Sequence, residues 1–355
     1  MKISEHLGND YGPQRLTVEL ANICNLHCSY CFRDDDNLYN SRAEFFPPDL
    51  LRKILTDARD TAGTKSVIFT GGEPTLHPQF DEILQIVSDI GLTGSFITNG
   101  WHFERIWPAV LNHRSALSHV AFSLDGPTRG THDRWRGKGS FDRLVQAFSR
   151  CYLKQLPFVV KMNLRRDLIN SLEESAIFAA RMGASALNFA HVSATSDAIE
   201  RESSLTLTER RNVEQEIALL ARILKMPVRI DVGYYNIDEE SAPCSPLAGT
   251  NMNVDFRGRL TLCCNLSGFR DAGRSDSDVV ADLKTDSFAS AFSRLKNLAN
   301  TQLERRRERL QYLRMNGIQP DLNTGSPCQF CLQSFGKTPW SEVTNTRSLP
   351  VKTVA

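Results

Sequence analysis

The sequence predicts an α/β protein whose main part is a partial (βα)6 TIM-like barrel, followed by a small C-terminal α+β region. Strand-like apolar runs alternate with helical patterns up to about residue 232, and this alternation implies a parallel sheet with right-handed crossovers. Six units rather than eight predict a barrel that stays open. Polar or glycine-rich residues follow the first four strand runs, at the end where functional residues of such barrels gather.

The strand runs are short, and helical patterns lie between them. The runs are 16–20, 66–70, 94–98, 119–124, 157–163 and 186–192, with a seventh at 228–232. Apolar residues at 80, 83, 84, 87 and 90 recur with the spacing of one helix face. A second helical stripe follows Thr206-Leu207-Thr208-Glu209, which is a capping-box pattern.

Composition excludes several classes of protein. The 355 residues are 41% hydrophobic and 23% charged, enough for one large domain and a small second one. The formal net charge of +1 argues against nucleic-acid or membrane-surface binding. No signal peptide or membrane-spanning run is visible, so we expect a cytoplasmic protein. Its nine cysteines are then better explained as metal ligands than as disulfides.

Three cysteines follow the first strand run at C-x3-C-x2-C spacing: Cys24, Cys28 and Cys31. Thiolates are soft ligands that select zinc, copper or iron–sulfur clusters. A structural zinc site and an ordinary four-iron cluster both need four ligands. Three close ligands without a nearby fourth cysteine therefore suggest a cluster with one iron left open. In the alternatives, His27 completes a zinc knuckle, or the thiols are small buried hydrophobic groups.

The second strand run ends in Gly71-Gly72-Glu73-Pro74. Adjacent glycines allow a ligand to approach the backbone, and a carboxylate beside them can accept hydrogen bonds from an ammonium group. The third run ends in Thr98-Asn99-Gly100 and the fourth in Ser123-Leu124-Asp125-Gly126. A plain turn is the alternative interpretation of residues 125–127.

The octapeptide 24–31, with Tyr30 before its last cysteine, resembles the signature of the radical S-adenosylmethionine (SAM) superfamily, and residues 71–74 resemble that family's GGE motif. The resemblance implies a [4Fe–4S] cluster on the three cysteines, with the amino and carboxylate groups of SAM on the open iron. It also implies SAM contacts from Gly71, Gly72, Glu73, Pro74, Asn99, Ser123 and Asn163. In this family, one electron from the cluster cleaves SAM to a 5′-deoxyadenosyl radical, which abstracts hydrogen from an unactivated C–H bond.

Five more cysteines fall in the last third of the chain. Cys244, Gly258 and Cys263 have C-x13-G-x4-C spacing, and Cys328 and Cys331 follow as a C-x2-C pair. This pattern resembles the Twitch domain, the shortened form of the SPASM auxiliary-cluster domain. The resemblance implies a second, auxiliary [4Fe–4S] cluster on the four cysteines of this pattern, whereas two zinc knuckles are the alternative.

Cys263 and Cys264 compete for the same role. If residues 259–264 form a strand, Leu260, Leu262 and Cys264 share one face, and Cys263 lies on the other face. The leucine face is the natural core face, and the family's spacing from Gly258 also selects Cys263. The competing interpretation of Cys264 is a catalytic hydrogen-atom donor.

The chain therefore divides into an arm (1–14), a core barrel (15–232), an auxiliary-cluster domain (233–337) and a tail (338–355). Two other features receive structural interpretations: Cys151 is a small buried residue of the helix 141–156, and the basic run Arg305–Arg309 is a solvated helix face.

We expect a radical SAM enzyme that acts on a small polar metabolite of sugar, aminocyclitol or nucleoside type, for example by dehydrogenation or epimerisation. About 14 residues precede the first strand run, which leaves no room for a fused leader-peptide domain. The alternatives are a maturase of a ribosomally made peptide and, in another class, a non-catalytic iron–sulfur or zinc protein. Residues 71–74 argue against the last, because an electron carrier needs no SAM amine site. A flavodoxin or ferredoxin is the expected reducing partner.

Overall fold

The computed structural model describes residues 15–33, 42–193, 202–239, 242–267 and 276–338. The predicted N-terminal arm and all but the first residue of the predicted tail lie outside these ranges. Among the described residues, no helix combines the length and apolar character needed to cross a membrane.

Seven parallel strands follow one another in the sheet in chain order, which confirms the predicted α/β architecture. They are β1 (Arg15–Glu19), β2 (Ser66–Thr70), β3 (Thr93–Thr98), β4 (Leu117–Ser123), β5 (Phe158–Leu164), β6 (Ala186–His191) and β7 (Val228–Val232). Among the described strands, β7 lies at the edge of the sheet and does not pair with β1, so the barrel is partial and open.

The helices between these strands, within the described ranges, include α1 (Pro48–Ala62), α2 (Phe80–Ile90), α3 (Phe103–Asn112), α4 (Arg129–Arg136), α5 (Ser140–Leu153), α6 (Leu172–Arg181) and α7 (Leu207–Ile223). Helix α2 occupies the residues of the predicted apolar stripe. The predicted capping box begins α7, where Glu209 N donates to Thr206 Oγ1 at 3.3 Å and Thr206 N donates to Glu209 Oε2 at 2.7 Å. These reciprocal bonds satisfy backbone donors that a helix start leaves unpaired.

Strand residues alternate between an outer apolar face and an inner face of the barrel. The outer side chains join the helices in one large core that includes Phe69, Phe96, Phe122 and Phe158. The inner face carries a separate small apolar cluster, formed by Ala121, Val159 and Ala186 with Ile97 packed against it. Polar side chains occupy other positions of the same face. We call Glu19, Asn253 and Thr261, with Arg33 paired to Glu19, the polar chamber of the barrel.

The C-terminal region extends this sheet instead of forming a separate one. Strand β8 (Asn251–Val254) pairs in parallel with β1, and β9 (Arg259–Thr261) and β10 (Val279–Asp282) continue in antiparallel order. The ten strands therefore run β10-β9-β8-β1-β2-β3-β4-β5-β6-β7. The continuous sheet places the C-terminal cysteines beside the strand that leads into the first cysteine motif.

Four helices complete this region: α8 (Cys264–Ser267), α9 (Phe288–Met315), α10 (Leu322–Gly325) and α11 (Pro327–Ser334). One expectation is corrected here. The strand considered over 259–264 ends at Thr261, since Cys264 begins a helical turn.

Candidate active site

Cys24, Cys28 and Cys31 lie on the loop that leaves the C-terminal end of β1. Cys28 is buried and the other two are half-buried. The loop closes on itself, because Cys31 N donates to Cys28 O at 2.9 Å and Leu26 N donates to Cys24 Sγ at 3.4 Å. Burial raises the pKa of Cys24 to about 12 and that of Cys28 to about 11. Thiols of this kind must release protons to bind iron, so cluster binding and deprotonation are coupled.

The glycine pair after β2 holds the start of this loop. Gly72 N donates to Ala21 O at 2.9 Å and Glu73 N donates to Ile23 O at 2.8 Å. A Cβ atom on Gly72 would lie 2.0 Å from Ile23 O. Gly71 has a φ of +133°, and a Cβ atom there would lie 2.5 Å from Ala21 O. Glycine is therefore required at both positions because the backbone of residues 71–72 packs directly against that of residues 21–23. The sequence had suggested a different reason, the approach of a ligand.

The carboxylate of Glu73 is buried and bonded within the protein. Oε1 accepts from Thr75 N at 3.2 Å, from Thr75 Oγ1 at 2.6 Å and from Thr98 Oγ1 at 2.7 Å. Oε2 accepts from Asn99 N at 2.8 Å. Burial raises the pKa of Glu73, although each of these bonds acts in the opposite direction. Glu73 thereby ties the ends of β2 and β3 together.

Asn99 extends that link to the cysteine loop. Its Nδ2 donates to Asn25 Oδ1 at 3.0 Å and lies 3.8 Å from Cys24 Sγ, while its Oδ1 accepts from Trp101 N at 2.9 Å. An amide donor directed at a thiolate ligand stabilises the negative sulfur. Of the predicted SAM residues, Asn99 and the 71–74 turn thus meet the cysteine loop directly.

Ser123 and Asn163 lie near the C-terminal ends of β4 and β5, on the inner face and half-buried. Their strand neighbours Phe122, Met162 and Leu164 are buried in the outer core. Both predicted SAM residues therefore lie at the end of the barrel that carries the cysteine loop, and Pro74 is buried at the start of a short 3₁₀ helix there.

Asp125 anchors Tyr30 of the cysteine motif. The sequence left a plain turn open as the alternative interpretation of residues 125–127. The fully buried carboxylate of Asp125 accepts from the Tyr30 hydroxyl, from Arg136 Nε and, at 2.7 Å, from Arg165 Nη1. Arg136 Nη2 also donates to the Tyr30 hydroxyl at 2.9 Å. Burial alone would raise the pKa of Asp125, but the two guanidinium groups outweigh it and hold that pKa well below its ordinary range. We call these four residues the Asp125 brace.

The polar chamber lies between the first cysteine loop and the C-terminal cysteines. Glu19, the last residue of β1, forms a buried ion pair with Arg33 at 2.6 Å. Asn253 Nδ2 donates to Thr261 Oγ1 at 2.8 Å and lies 3.4 Å from Glu19 Oε1. Within the described ranges, Glu19 Oε2 and Asn253 Oδ1 are buried and accept no hydrogen bond. Two unsatisfied acceptors therefore remain in the chamber.

The C-terminal cysteines converge on one cavity. Cys244, Cys263, Cys328 and Cys331 line a space of about 350 Å³ that includes its open mouth, and the other lining side chains are mostly leucine and proline. Cys328 and Cys331 lie one turn apart near the start of α11. A thiol set in a small apolar cavity fits the resemblance to an auxiliary-cluster domain. Among the described residues, no three His, Cys, Asp or Glu side chains are grouped as the ligands of a single metal ion.

Cys264 does not line this cavity. Its thiol hydrogen-bonds with that of Cys263 and interacts electrostatically with Glu19, Arg33 and Lys161, which surround the polar chamber. The strand argument for separating the two cysteines was wrong, because β9 ends before them. The turn into α8 instead separates them, with Cys263 at the cavity and Cys264 towards the barrel.

The comparisons with known proteins agree with this arrangement. The model of the Radical SAM superfamily matches residues 18–170. The mycofactocin maturase MftC of Mycobacterium tuberculosis is 32% identical over 178 residues, which are 48% of this chain and 43% of that protein, so the match spans less than half of either. The PqqA peptide cyclase of Gluconobacter oxydans is 24% identical over 255 residues, covering 71% of this chain and 70% of that protein.

A solved structure supports the same fold. SuiB of Streptococcus suis bound to S-adenosylmethionine superposes with a TM-score of 0.64 at 15% identity, over 80% of this chain and 68% of that chain. Proteins of the matched superfamily bind a [4Fe–4S] cluster and SAM, and the three-thiol loop with the glycine turn behind it fits both. Residues 18–170, which carry the three-thiol loop and the glycine turn, therefore match the radical SAM superfamily.

Proposed function

We propose that this protein is a radical SAM maturase, which abstracts a hydrogen atom from an unactivated C–H bond of a peptide. The observation that carries the proposal is the cysteine loop at the mouth of the barrel, directly beside a polar chamber. When bound, the cluster and SAM supply the 5′-deoxyadenosyl radical. The chain's own residues hold the cofactors, orient the substrate and exclude water.

The residues divide into two cofactor sites and a chamber between them. Cys24, Cys28 and Cys31 hold the first cluster. Residues 71–74, with Asn99, Ser123 and Asn163, contact SAM. This assignment is supported by the match of the family model and by the shared position of these residues at the C-terminal ends of β1 to β5.

The second site is an auxiliary [4Fe–4S] cluster held by Cys244, Cys263, Cys328 and Cys331. Its support is the cavity that these four residues share. The Twitch-like region 233–337 then follows the core 15–232, although its first strand is hydrogen-bonded to the core. The polar chamber between the two sites allows the auxiliary cluster either to receive an electron from the substrate or to bind it.

A peptide substrate is supported better than a small polar metabolite. The PqqA relative is named a peptide cyclase, the mycobacterial relative a maturase, and SuiB was also solved with its precursor peptide SuiA. Glu19 Oε2 and Asn253 Oδ1 accept no hydrogen bond from the described residues, but both side chains are fully buried, so they do not decide between the substrates. The names of the relatives outweigh the length of chain before β1, from which the sequence suggested a metabolite.

We further propose that the protein works in the cytoplasm with a flavodoxin or ferredoxin as its reductant. This part rests on the cysteine usage and on the need of such a cluster for a low-potential electron.

The test is deuterium transfer. The reconstituted, reduced enzyme receives SAM and deuterated candidate peptides encoded near its gene, and 5′-deoxyadenosine is analysed by mass spectrometry. The proposal predicts deuterium in 5′-deoxyadenosine with one of these peptides and none with deuterated sugars, aminocyclitols or nucleosides. Deuterium from a metabolite alone would restore the first interpretation of the sequence.

A further inference from the structure

Helix α9 carries two buried polar side chains near the cysteines of the auxiliary cavity. Gln302 and Arg306 lie one turn apart on the same helix face, and each is about 1% exposed. The sequence predicted that the basic run Arg305–Arg309 forms a solvated face. This prediction is wrong for Arg306, whereas its neighbour Arg305 is exposed as expected.

Amide groups point at two of the four cavity sulfurs. Gln302 Nε2 lies 3.8 Å from Cys331 Sγ, and Asn265 Nδ2 lies 3.9 Å from Cys328 Sγ. Both distances are within the range of N–H···S hydrogen bonds. The amide donors come from α9 and from the turn of α8, so they reach the cavity from different elements.

Arg306 adds a buried positive charge to the same face of α9. Its guanidinium donates to Asn236 O and lies 3.5 Å from Asp238 O, which fixes its position. Gln302, one turn earlier on this face, lies 3.8 Å from Cys331 Sγ, so the charge of Arg306 stands on the side of the helix that faces the cysteines, where it acts on the sulfurs of Cys244 and Cys331. An arginine remains protonated in proteins, so this charge is permanent.

We propose that Gln302 and Arg306 are positioning residues that raise the reduction potential of the auxiliary cluster; this rests on the proposed function, in which the four cysteines hold that cluster. On reduction the cluster gains one electron from a low-potential reductant, and no bond forms or breaks. The added negative charge spreads over the cluster sulfurs, where N–H donors and a nearby cation stabilise it. The oxidised state gains less from them, so the potential rises. The site is thereby suited to receive an electron.

The experiment is a redox titration followed by electron paramagnetic resonance, with the full-length protein. Cys28→Ala serves as the background, because it removes the first cluster and leaves the auxiliary signal alone. Gln302→Leu and Arg306→Met should each lower the midpoint potential, and a tenfold change in the reduced-to-oxidised ratio corresponds to about 59 mV for a one-electron couple. Arg305→Met, on the same helix but exposed, should keep the parent midpoint.

Conservative variants keep the test decisive if either substitution prevents cluster loading. Arg306→Lys retains the charge and should stay near the parent midpoint. Gln302→Glu retains the size, loses the donor and adds negative charge, so it should lower the midpoint. Loaded clusters with midpoints equal to the parent in Gln302→Leu, Arg306→Met and Gln302→Glu would overturn the inference. A parent that binds no iron at Cys244, Cys263, Cys328 and Cys331 would instead overturn the auxiliary cluster itself.

Discussion

Replacing Asp125 by asparagine should destabilise the protein far more than a surface charge change does. The side chain keeps its shape, but Arg136 loses its buried counter-charge, and Arg165 keeps only the more exposed Asp167 at 3.2 Å. Removing one partner of a buried ion pair costs about 3–5 kcal/mol, because a charge is left buried without compensation. We expect a loss in this range in the free energy of unfolding.

The effect should also reach the first cluster. Asp125 accepts a hydrogen bond from Tyr30, which lies between Cys28 and Cys31, so loss of the brace loosens the turn that carries two ligands. We expect Asp125→Asn to lower iron occupancy at the first site while the auxiliary signal persists.

Asp142→Asn is the matched control. Asp142 pairs with Arg129 at 2.6 Å, but both side chains are exposed, so the same chemical change should cost about 0–1 kcal/mol. Urea unfolding of the iron-free proteins measures both losses, and iron analysis with paramagnetic resonance measures both clusters. Equal unfolding free energies for the two variants would refute the role of the brace.

Three further predictions concern other parts of the molecule. Burial, aided by Arg136, lowers the pKa of His132 to about 4. Below about pH 6.5 the unfolded chain therefore binds a proton that the folded protein does not, and the free energy of unfolding should fall by about 3 kcal/mol between pH 6.5 and pH 4. In urea unfolding curves measured over this pH range, His132→Gln should show a smaller fall. The reconstituted wild type should hold about eight irons, and a count of four that is unchanged by Cys244→Ala would disprove the second cluster. Cys263→Ala should lose the paramagnetic signal of the auxiliary cluster, and Cys264→Ala should retain it. The reverse result would exchange the roles of the two cysteines. A Cys264→Ala protein that keeps both clusters but no longer turns over substrate would identify Cys264 as a hydrogen-atom donor.

Local patterns in the sequence predicted the barrel well. The bounds of β2, β7 and α2 agree with their apolar runs, because each run is set by burial on one side and ends at polar or glycine residues. The cysteine spacings also selected four thiols that line one C-terminal cavity, and their role as cluster ligands stays a prediction. Hydrophobic periodicity and ligand spacing depend on residues that are close together in the sequence, so they can be recognised without the structure.

The sequence did not reveal which polar residues become buried by distant parts of the chain. Arg306 stands in a run of basic residues, yet it is buried and its guanidinium contacts the carbonyl oxygens of Asn236 and Asp238, which are distant in the sequence. Asp125 has the sequence context of a turn residue, and only the structure shows that Arg136 and Arg165 bind its buried carboxylate. Burial by residues that are distant in the sequence cannot be predicted from the neighbouring residues. A buried arginine among other charged residues also adds nothing to the hydrophobic periodicity that predicts which helix face is buried.

The most direct test of the central claim is the yield of 5′-deoxyadenosine from SAM under reducing, anaerobic conditions. Wild-type protein should produce it, and Cys28→Ala should not, since loss of one thiolate cripples a three-thiolate cluster. Cys151→Ala is the control: Cys151 is buried in the core of α5, so this variant should retain the reaction. Formation of 5′-deoxyadenosine by Cys28→Ala at the wild-type rate would contradict the account.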